Sequence, residues 1–454
     1  MNFNKKLAVA VSGAVMLMAG QFAMADSTSD IVDALIGKGV LTEEEGKLIT
    51  KGHESAKSKA AKVVDKNGAL SLSSPDGNST MAIAGRIQLD SRHYSDGDGR
   101  SDLAKDGFDI RRAYFGVSGK IAKYYDYKVV ANLGNADSTS VDKSNQLDEA
   151  FFGINYWKEA SFRFGQQKMP FSLEEQTSSR FTDFQERSML NTAVPGKEMG
   201  VQIHGVFDNG VFYGAAISTG EGLSKQEKVT GDSNDLIGRI GINIAKAMGN
   251  KDDVYHVAIA GSTGAQGNTS HNASYNAEDR GASFISQAIT GNRTRYGLEG
   301  ALALSSFKVQ GEYIRREFDK ITSAIGSKPI GSDVDTDGFY LSSSYMITGE
   351  KYADSYKDGK FDRLSPKKDF NPNDTSKGWG AWEIGARYSS VDAKDIGLTS
   401  STAYNQAKSY TLGLKWIPSP YVRVLMNYVD TEGEQVSGAK LDQKALTLRT
   451  QMDF

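Results

Sequence analysis

The last stretch of the chain, residues 441–454, reads LDQKALTLRTQMDF. Leu446, Leu448, Thr450 and Met452 fall on one parity, and Thr447, Arg449 and Gln451 on the other. Successive side chains of a β-strand point to opposite faces, so the pattern describes a strand with one apolar and one polar side. The same alternation recurs upstream. Val422, Val424, Met426 and Tyr428 oppose Arg423 and Asn427, and Tyr410, Leu412, Leu414 and Trp416 oppose Thr411 and Lys415. Met199, Val201, Ile203 and Phe207 oppose Gln202 and His204, and Tyr125, Tyr127, Val129 and Leu133 oppose Asp126, Lys128 and Asn132. The earliest instance sets Met81, Ile83, Ile87 and Leu89 against Arg86, Gln88 and Asp90. Further alternating runs lie at 107–119, 146–157, 160–167, 210–219, 235–247, 253–262, 293–304, 306–317, 337–348 and 378–390. The total is about sixteen strands, each near the length that crosses a bilayer at a tilt.

The connections alternate short and long. Asp208-Asn209 and Pro418-Ser419-Pro420 read as tight turns. Residues 92–106, 134–145, 168–197, 220–234, 263–292, 318–336, 391–406 and 431–440 read as long outer loops. Residues 349–377 break the rule, because they are long and polar where a short turn belongs. Either a large turn sits there or the strand count is off by two. In hydrocarbon every backbone N–H and C=O must be paired, and only a closed sheet has no edge. The expected fold is therefore all-β, a transmembrane antiparallel β-barrel over 80–454 with apolar rows facing lipid and polar rows facing a wet lumen. A soluble β-helix or propeller would show an internal repeat of fixed period, and the sequence has none.

Composition narrows the classes further. Among 454 residues there are 48 Gly, 20 Tyr and 20 Phe but 8 Pro, which suits many strands joined by polar turns. Cys is absent, so disulfides and thiolate metal sites are excluded. Mean hydropathy is −0.44, and no apolar run after the first 25 residues approaches the roughly 18 residues of a spanning helix. The formal charge of −3 gives no reason to expect nucleic acid as a partner.

The first residues read as an export signal. Lys5 and Lys6 precede an apolar run from Leu7 to Ala19, and Ala23-Met24-Ala25 has the small-x-small form of a cleavage site. Residues 1–25 are thus expected to be a signal peptide. Residues 26–70 are expected to form a short helical and flexible periplasmic extension. Ile31, Val32, Leu35 and Ile36, then Leu48 and Ile49, follow helical spacing, and Gly37 and Gly39 separate the two pieces. Thr42 before Glu43, Glu44 and Glu45 reads as a helix N-cap with an acidic first turn. From Ser55 to Lys66 the chain reads as weakly helical.

Sites for catalysis or metals are not evident. Asp333-x-Asp335-x-Asp337-Gly338 begins like a calcium loop, but Ser344 stands where the closing Glu belongs. Asp96-Gly97-Asp98-Gly99 reads as a solvated turn. His53, His93, His204, His256 and His271 show no metal-ligand spacing, and no nucleophile is marked beside them. No cofactor and no enzymatic activity are expected.

The inward faces are the informative surface. By parity Arg86, Lys128, Arg163, Arg239, Arg293, Arg295, Lys308, Arg387, Lys415, Arg423 and Arg449 point to the lumen. Asp90, Asp126, Glu149, Glu299, Glu312 and Glu383 share it, so cations outnumber acids in the wall. Such ladders draw anions into a low-dielectric tube, and the planar Arg fork matches phosphate or carboxylate oxygens. The alternative is that the acids neutralise the cations and merely solvate the lumen.

Several stretches carry a family resemblance. They are GFDIRRAYFGVSG at 107–119, then DEAFFGINY, FRFGQQKMPFSLEE, TSSRFTDFQERS and PGKEMG within 148–199, SYMITGE at 344–350 and GWGAWEIGARYS at 378–389. In order, from about residue 80 to the end, they resemble the phosphate-selective porin O/P family. The terminal Phe454 on an alternating strand likewise resembles the assembly signal of outer-membrane barrels. The resemblance implies a homotrimeric sixteen-stranded porin of a Gram-negative outer membrane, in contact with its lipid, that passes small anionic solutes. It implies that loop 168–197 folds inward and narrows the pore. Arg111 and Arg112 match the family's double Arg, and Ser178 and Ser179 match hydroxyls facing the anion. Arg187 is a further matching cation, suited to holding the loop. Lys168 and Arg180 flank the constriction.

One position departs from the pattern. Glu175 stands where strict phosphate-selective members place a Lys before Thr-Ser-Ser. A carboxylate at the narrowest point would oppose phosphate entry, with Lys168 and Arg180 as compensation. Two other readings stay open. One is a general porin with little ion preference. The other is an envelope-tethering or surface-interaction barrel, in which 26–70 or the long loops matter most.

Overall fold

The structure, a computed structural model, describes residues 27–66, 69–96, 106–134, 146–220, 222, 234–281, 283–374, 376 and 378–454. The leader read at 1–25 and most of the acidic turn at 96–99 lie outside these residues. The chain divides into an N-terminal unit and a barrel unit.

In the N-terminal unit, helix α1 spans Ser27–Gly37 and α2 spans Glu43–Lys59. Thr42 caps α2 as read. The Glu45 N–H donates to Thr42 Oγ1 at 3.2 Å, and the Thr42 N–H donates to Glu45 Oε2 at 2.9 Å, which is a capping box. The weak helix expected to Lys66 stops at Lys59, and short strands follow at Lys62–Lys66 and Ala69–Ser73.

The barrel has sixteen strands. They are β1 Thr80–Asp96, β2 Gly107–Ile121, β3 Tyr125–Asn132, β4 Gln146–Ile154, β5 Ser161–Lys168, β6 Lys197–Val206, β7 Val211–Ser218 and β8 Asp235–Asn243. The second half comprises β9 Asp253–Asn276, β10 Ser283–Leu304, β11 Phe307–Asp319, β12 Val334–Met346, β13 Ala381–Asp392, β14 Tyr404–Ser419, β15 Val422–Gln435 and β16 Lys440–Asp453. Each strand pairs antiparallel with the next, and β16 pairs with β1, so the sheet closes. At the seam Gly85 and Phe454 exchange backbone hydrogen bonds of 2.6 and 3.1 Å. The Phe454 ring lies where a Cβ on residue 85 would sit, so glycine there admits the terminal ring.

Parity works as expected. Leu448 is 43% exposed and Arg449 1%, and the other strands repeat this contrast. Aromatic groups gather near the short-turn end, among them Tyr125 with Tyr156, Phe207 with Tyr213, and Trp382 with Trp416. Such girdles mark a membrane–water interface. No described helix is long and apolar enough to cross a membrane, and crossing is by strands.

Two connections differ from the sequence reading. The loop expected at 263–292 is mostly strand, because β9 runs to Asn276 and β10 starts at Ser283. Its tip, here L5, covers 277–281 among the described residues. The long segment between β12 and β13 is a genuine turn, here T6 at 347–380, so the strand count is not off by two. T6 carries a two-residue hairpin pairing Tyr356–Lys357 with Lys360–Phe361. Its Tyr352, Phe361 and Leu364 form a buried cluster with Leu173, Val254, Met346 and Ile417.

Candidate functional site

Among the described residues, three connections enter the lumen. The first is L3, residues 169–196, which carries the short helix α3, Leu173–Gln176. Ser172 caps it through a 3.1 Å bond from the Glu175 N–H, and the wall residue Glu312 accepts from the Leu173 and Glu174 N–H groups at 3.1 and 2.7 Å. Farther along, the Gln185 N–H donates to Asn427 on β15 at 3.0 Å, and Lys308 on β11 meets Asp183 at 2.7 Å. L3 thus crosses the lumen, as the resemblance implied. The second is L5. Its Glu278 accepts from Arg387 at 2.5 and 3.0 Å and from Thr411 at 2.7 Å. The third is T6, which Arg239 holds by donating to the Gly359 carbonyl at 2.9 Å.

These insertions divide the wall cations into two groups. Many are neutralised. Arg239 forks onto Glu299 at 2.6 and 2.8 Å, and Arg449 onto Asp90 at 2.6 and 2.7 Å, with Glu186 also at 2.7 Å. Arg387 bonds Glu278 and Glu174, and Arg293 and Arg295 share Asp235 at 2.8 and 2.6 Å. Lys415 meets Glu383 at 2.8 Å. Lys128 pairs with Glu149, while Arg163 is only loosely matched, 3.8 Å from Asp126. The expected excess of free positive charge is therefore smaller than parity alone suggested.

A second set, in which Lys128 recurs, surrounds a cavity of about 380 Å³ between L3, T6 and strands β1 to β6. Its lining holds eight cations, Arg86, Arg112, Lys128, Lys168, Arg180, Arg187, Lys197 and Lys360, against four acids, Asp148, Glu149, Glu175 and Asp362. Among the described residues, Arg86 and Lys360 have no carboxylate within 4.0 Å, while Arg112 and Arg180 have theirs at 3.8 and 3.9 Å. Arg86 donates to the Ser179 hydroxyl at 3.0 Å and lies 4.3 Å over the Tyr114 ring. Ser178 and Ser179 line the same cavity. Space on this scale holds an ion and several waters.

Arg111 and Arg112 can both face inward because β2 carries a bulge. Gln88 pairs with Arg112 and Leu89 with Ile110, so Arg111 is the extra residue. Arg111 reaches Glu186 at 2.9 Å. Burial raises the Glu186 carboxyl, but Arg111, Arg449 and Arg112 outweigh it and hold the group well below the usual carboxylate range. Arg111 is thus a clamp on L3, and Arg112 is the member of the pair that lines the cavity.

Glu175 is not a free obstacle. Arg187 meets its carboxylate at 2.9 Å and Lys168 at 3.7 Å. Burial raises this carboxyl, and Arg187 and Lys168 overcome that to keep it below its ordinary value. Arg187 also donates to the carbonyls of Glu174, Glu175 and Thr177 at 3.0, 3.2 and 2.8 Å. Lys168 donates to the Thr177 carbonyl at 3.2 Å. Both cations hold the end of α3. Arg423 likewise donates to the Arg180 carbonyl at 3.1 Å.

Sequence reasoning missed Lys197, Asp148 and Lys360 in the lining, and Glu186 and Glu278 as neutralising partners. Lys197 belongs to the PGKEMG stretch. Parity counted from Met199 sets it outward, yet it pairs with Asp148, the extra residue of a bulge in β4.

A closed sixteen-stranded barrel with an apolar exterior, a charged lumen and an inward-folded third loop defines an outer-membrane porin of a Gram-negative bacterium. The model of the family described as "Phosphate-selective porin O and P" matches residues 81–454, and the chain belongs to that family. It is similar to Porin O of Pseudomonas aeruginosa, at 24% identity over 86% of this chain and 92% of that one. Among solved structures it resembles an anion-selective porin from Comamonas acidovorans, with TM-score 0.54, 12% identity, and coverage of 83% and 100% of the two chains. The DcaP channel of Acinetobacter baumannii gives TM-score 0.52, 11% identity, and coverage of 83% and 98%. At these identities the structural likeness speaks to fold.

Proposed function

We propose that this porin passes small hydrophilic solutes passively, favouring anions and phosphate-like oxyanions in particular. The observation that carries this is the cation excess around the 380 Å³ cavity, where Arg86 and Lys360 have no carboxylate within 4.0 Å among the described residues and Arg112 and Arg180 have theirs only at 3.8 and 3.9 Å. The Ser178 and Ser179 hydroxyls add neutral donors, and oxyanions have acceptors for both kinds. Such a filter must bind well enough to draw an ion in and loosely enough to release it. The family description and the anion selectivity of the Comamonas porin point the same way. Assembly as a homotrimer belongs to the same reading, as does a periplasmic role for 26–70 after removal of 1–25.

Reversal potential in a planar bilayer under a KCl gradient, repeated with added phosphate, tests the reading. An anion-selective potential with chloride current blocked by phosphate supports it. A near-zero potential without block would leave a general porin, the reading favoured by the paired cations Arg239, Arg449 and Lys415.

A further inference from the structure

We infer that L3 and L5 form a closure lock, each holding the first strand of the barrel to the last, so that docking of these loops and closure of the sheet are one coupled event. This goes beyond the proposed function and does not depend on which solute passes. The inference starts from the seam. Every other neighbouring pair of barrel strands is consecutive in the chain, whereas β16 meets β1 across almost its whole length. The facing residues Gln88 and Gln451 are 363 positions apart. Closing so long a loop costs more chain entropy than closing a hairpin, and an unclosed sheet leaves two bare edges.

The wall itself supplies some cross-seam bonds. Arg449 forks onto Asp90 at 2.6 and 2.7 Å, and Gln88 donates to Gln451 at 2.6 Å. The loops add to these at two heights. Toward the outer end, Asp279 of L5 touches both strands. Its carbonyl accepts from Tyr94 Oη of β1 at 3.1 Å, and its carboxylate accepts from Gln443 of β16 at 2.7 and 2.9 Å. A Cβ at residue 281 would sit 2.0 Å from the Gln443 amide and displace it, so Gly281 admits that bond. Deeper in the barrel, L3 does the same. The Ser179 carbonyl accepts from Gln88 of β1 at 3.2 Å, and the Arg180 carbonyl accepts from Gln451 of β16 at 3.1 Å. Glu186 then accepts from Arg449 of β16 at 2.7 Å and from Arg111 of β2 at 2.9 Å.

Neither loop is rooted at the seam. L3 joins β5 to β6 and L5 joins β9 to β10, so both cross the lumen to reach it. They also hold each other, because the Met189 N–H of L3 donates to Glu278 of L5 at 3.3 Å and Arg387 pairs with Glu174 and Glu278 together. In an open sheet β1 and β16 lie apart, and Asp279 cannot meet Tyr94 and Gln443 at once. Docking and closure therefore favour each other by the same free energy. The pore narrows as the sheet closes, and the loops that narrow it keep it closed.

The test is amide hydrogen exchange, strand by strand, on the full-length folded protein. Asp279→Ala and Gly281→Ala are each expected to quicken exchange about tenfold in the outer halves of β1 and β16, while the β6–β7 pair stays within about threefold of wild type. Glu186→Gln should do the same around Asp90 and Arg449. The chain has no Cys, so Ser91→Cys with Leu448→Cys, register partners of the outward parity, places a single disulfide across the seam. Oxidation should cancel the added exchange, and restore the folded yield of any variant that fails to close, and reduction should bring the defect back. Unchanged exchange at the seam, equal quickening all round the barrel, or a defect that persists with the seam cross-linked would overturn the inference.

Discussion

Two sides of the same lumen carry the same kind of wall, and they end in opposite states. On the side of Arg387, Lys308 and Lys415, every one of these cations meets a carboxylate within 3.2 Å. The remaining space there, lined by Glu174, Asp183, Lys308 and Arg387, is about 20 Å³, enough for a single water. On the side of Arg86, Arg112 and Lys360 the cavity is about 380 Å³, and these three have no carboxylate nearer than 3.8 Å among the described residues, although Lys128, Arg187 and Lys197 beside them are paired. The strands alone do not make this difference, although β13 supplies Glu383 to Lys415. Glu174, Asp183 and Glu278 reach the first side on L3 and L5, whereas the second receives hydroxyls from L3 and an ammonium from T6. The inserted connections thus decide which wall charges serve the fold and which remain for solute.

The largest contrast should come from removing one cation on each side. Arg387→Leu leaves Glu278 and Glu174 buried without their partner, a loss of about 3–5 kcal/mol. Denaturant unfolding should show it, with L3 and L5 released and conductance raised. Arg86→Gln loses one hydrogen bond, about 1 kcal/mol, yet should raise the half-blocking phosphate concentration by about tenfold, roughly 1.4 kcal/mol of binding. If Arg387→Leu is as stable as wild type, or Arg86→Gln leaves block unchanged, the division into two sides fails.

Glu175→Gln sharpens the boundary between them. Its charge is already balanced by Arg187 and Lys168, so anion preference should rise only slightly in reversal-potential measurements. A large rise would show that Glu175 faces the ions directly.

The smallest effect concerns the L5 tip. Burial pushes the Asp279 carboxyl up to about 6, even though Gln443 and the Gly281 N–H donate to it. The docked tip then holds a proton that the released chain has already lost, so docking is strongest below about pH 4 and weakens as pH rises through 6. Between pH 5 and 7 the loss is about 1 kcal/mol. Exchange of the Gly281 amide, corrected for intrinsic rate, should quicken over that range, and Asp279→Asn should remove the dependence.

Alternation made the strands legible, because lipid outside and water inside impose period 2 on any strand within the bilayer. It set Arg86, Arg239, Arg387 and Arg449 on the polar parity, and all four side chains are buried. It failed at 263–292, where β9 and β10 continue beyond the apolar band and nothing requires an outward apolar row. It failed differently in T6, whose anchors Tyr352, Phe361 and Leu364 have no period to follow. The inward pair Arg111 and Arg112 needed a bulge, which adjacent residues in a regular strand cannot reveal. Above all, parity shows where a charge points but not what meets it. Arg387 and Arg86 look alike in sequence, and their partners come from Glu278 and Ser179, each distant along the chain.

The central claim is that anions occupy the open side and not the filled one. Its most direct test is an anomalous-difference map from crystals of the protein soaked in arsenate, a phosphate-like oxyanion with a strong anomalous signal. The expected result is a peak among Arg86, Arg112, Ser179 and Lys360. Peaks confined to the neighbourhood of Arg387, Lys308 and Lys415, or no peak within the lumen, would contradict it.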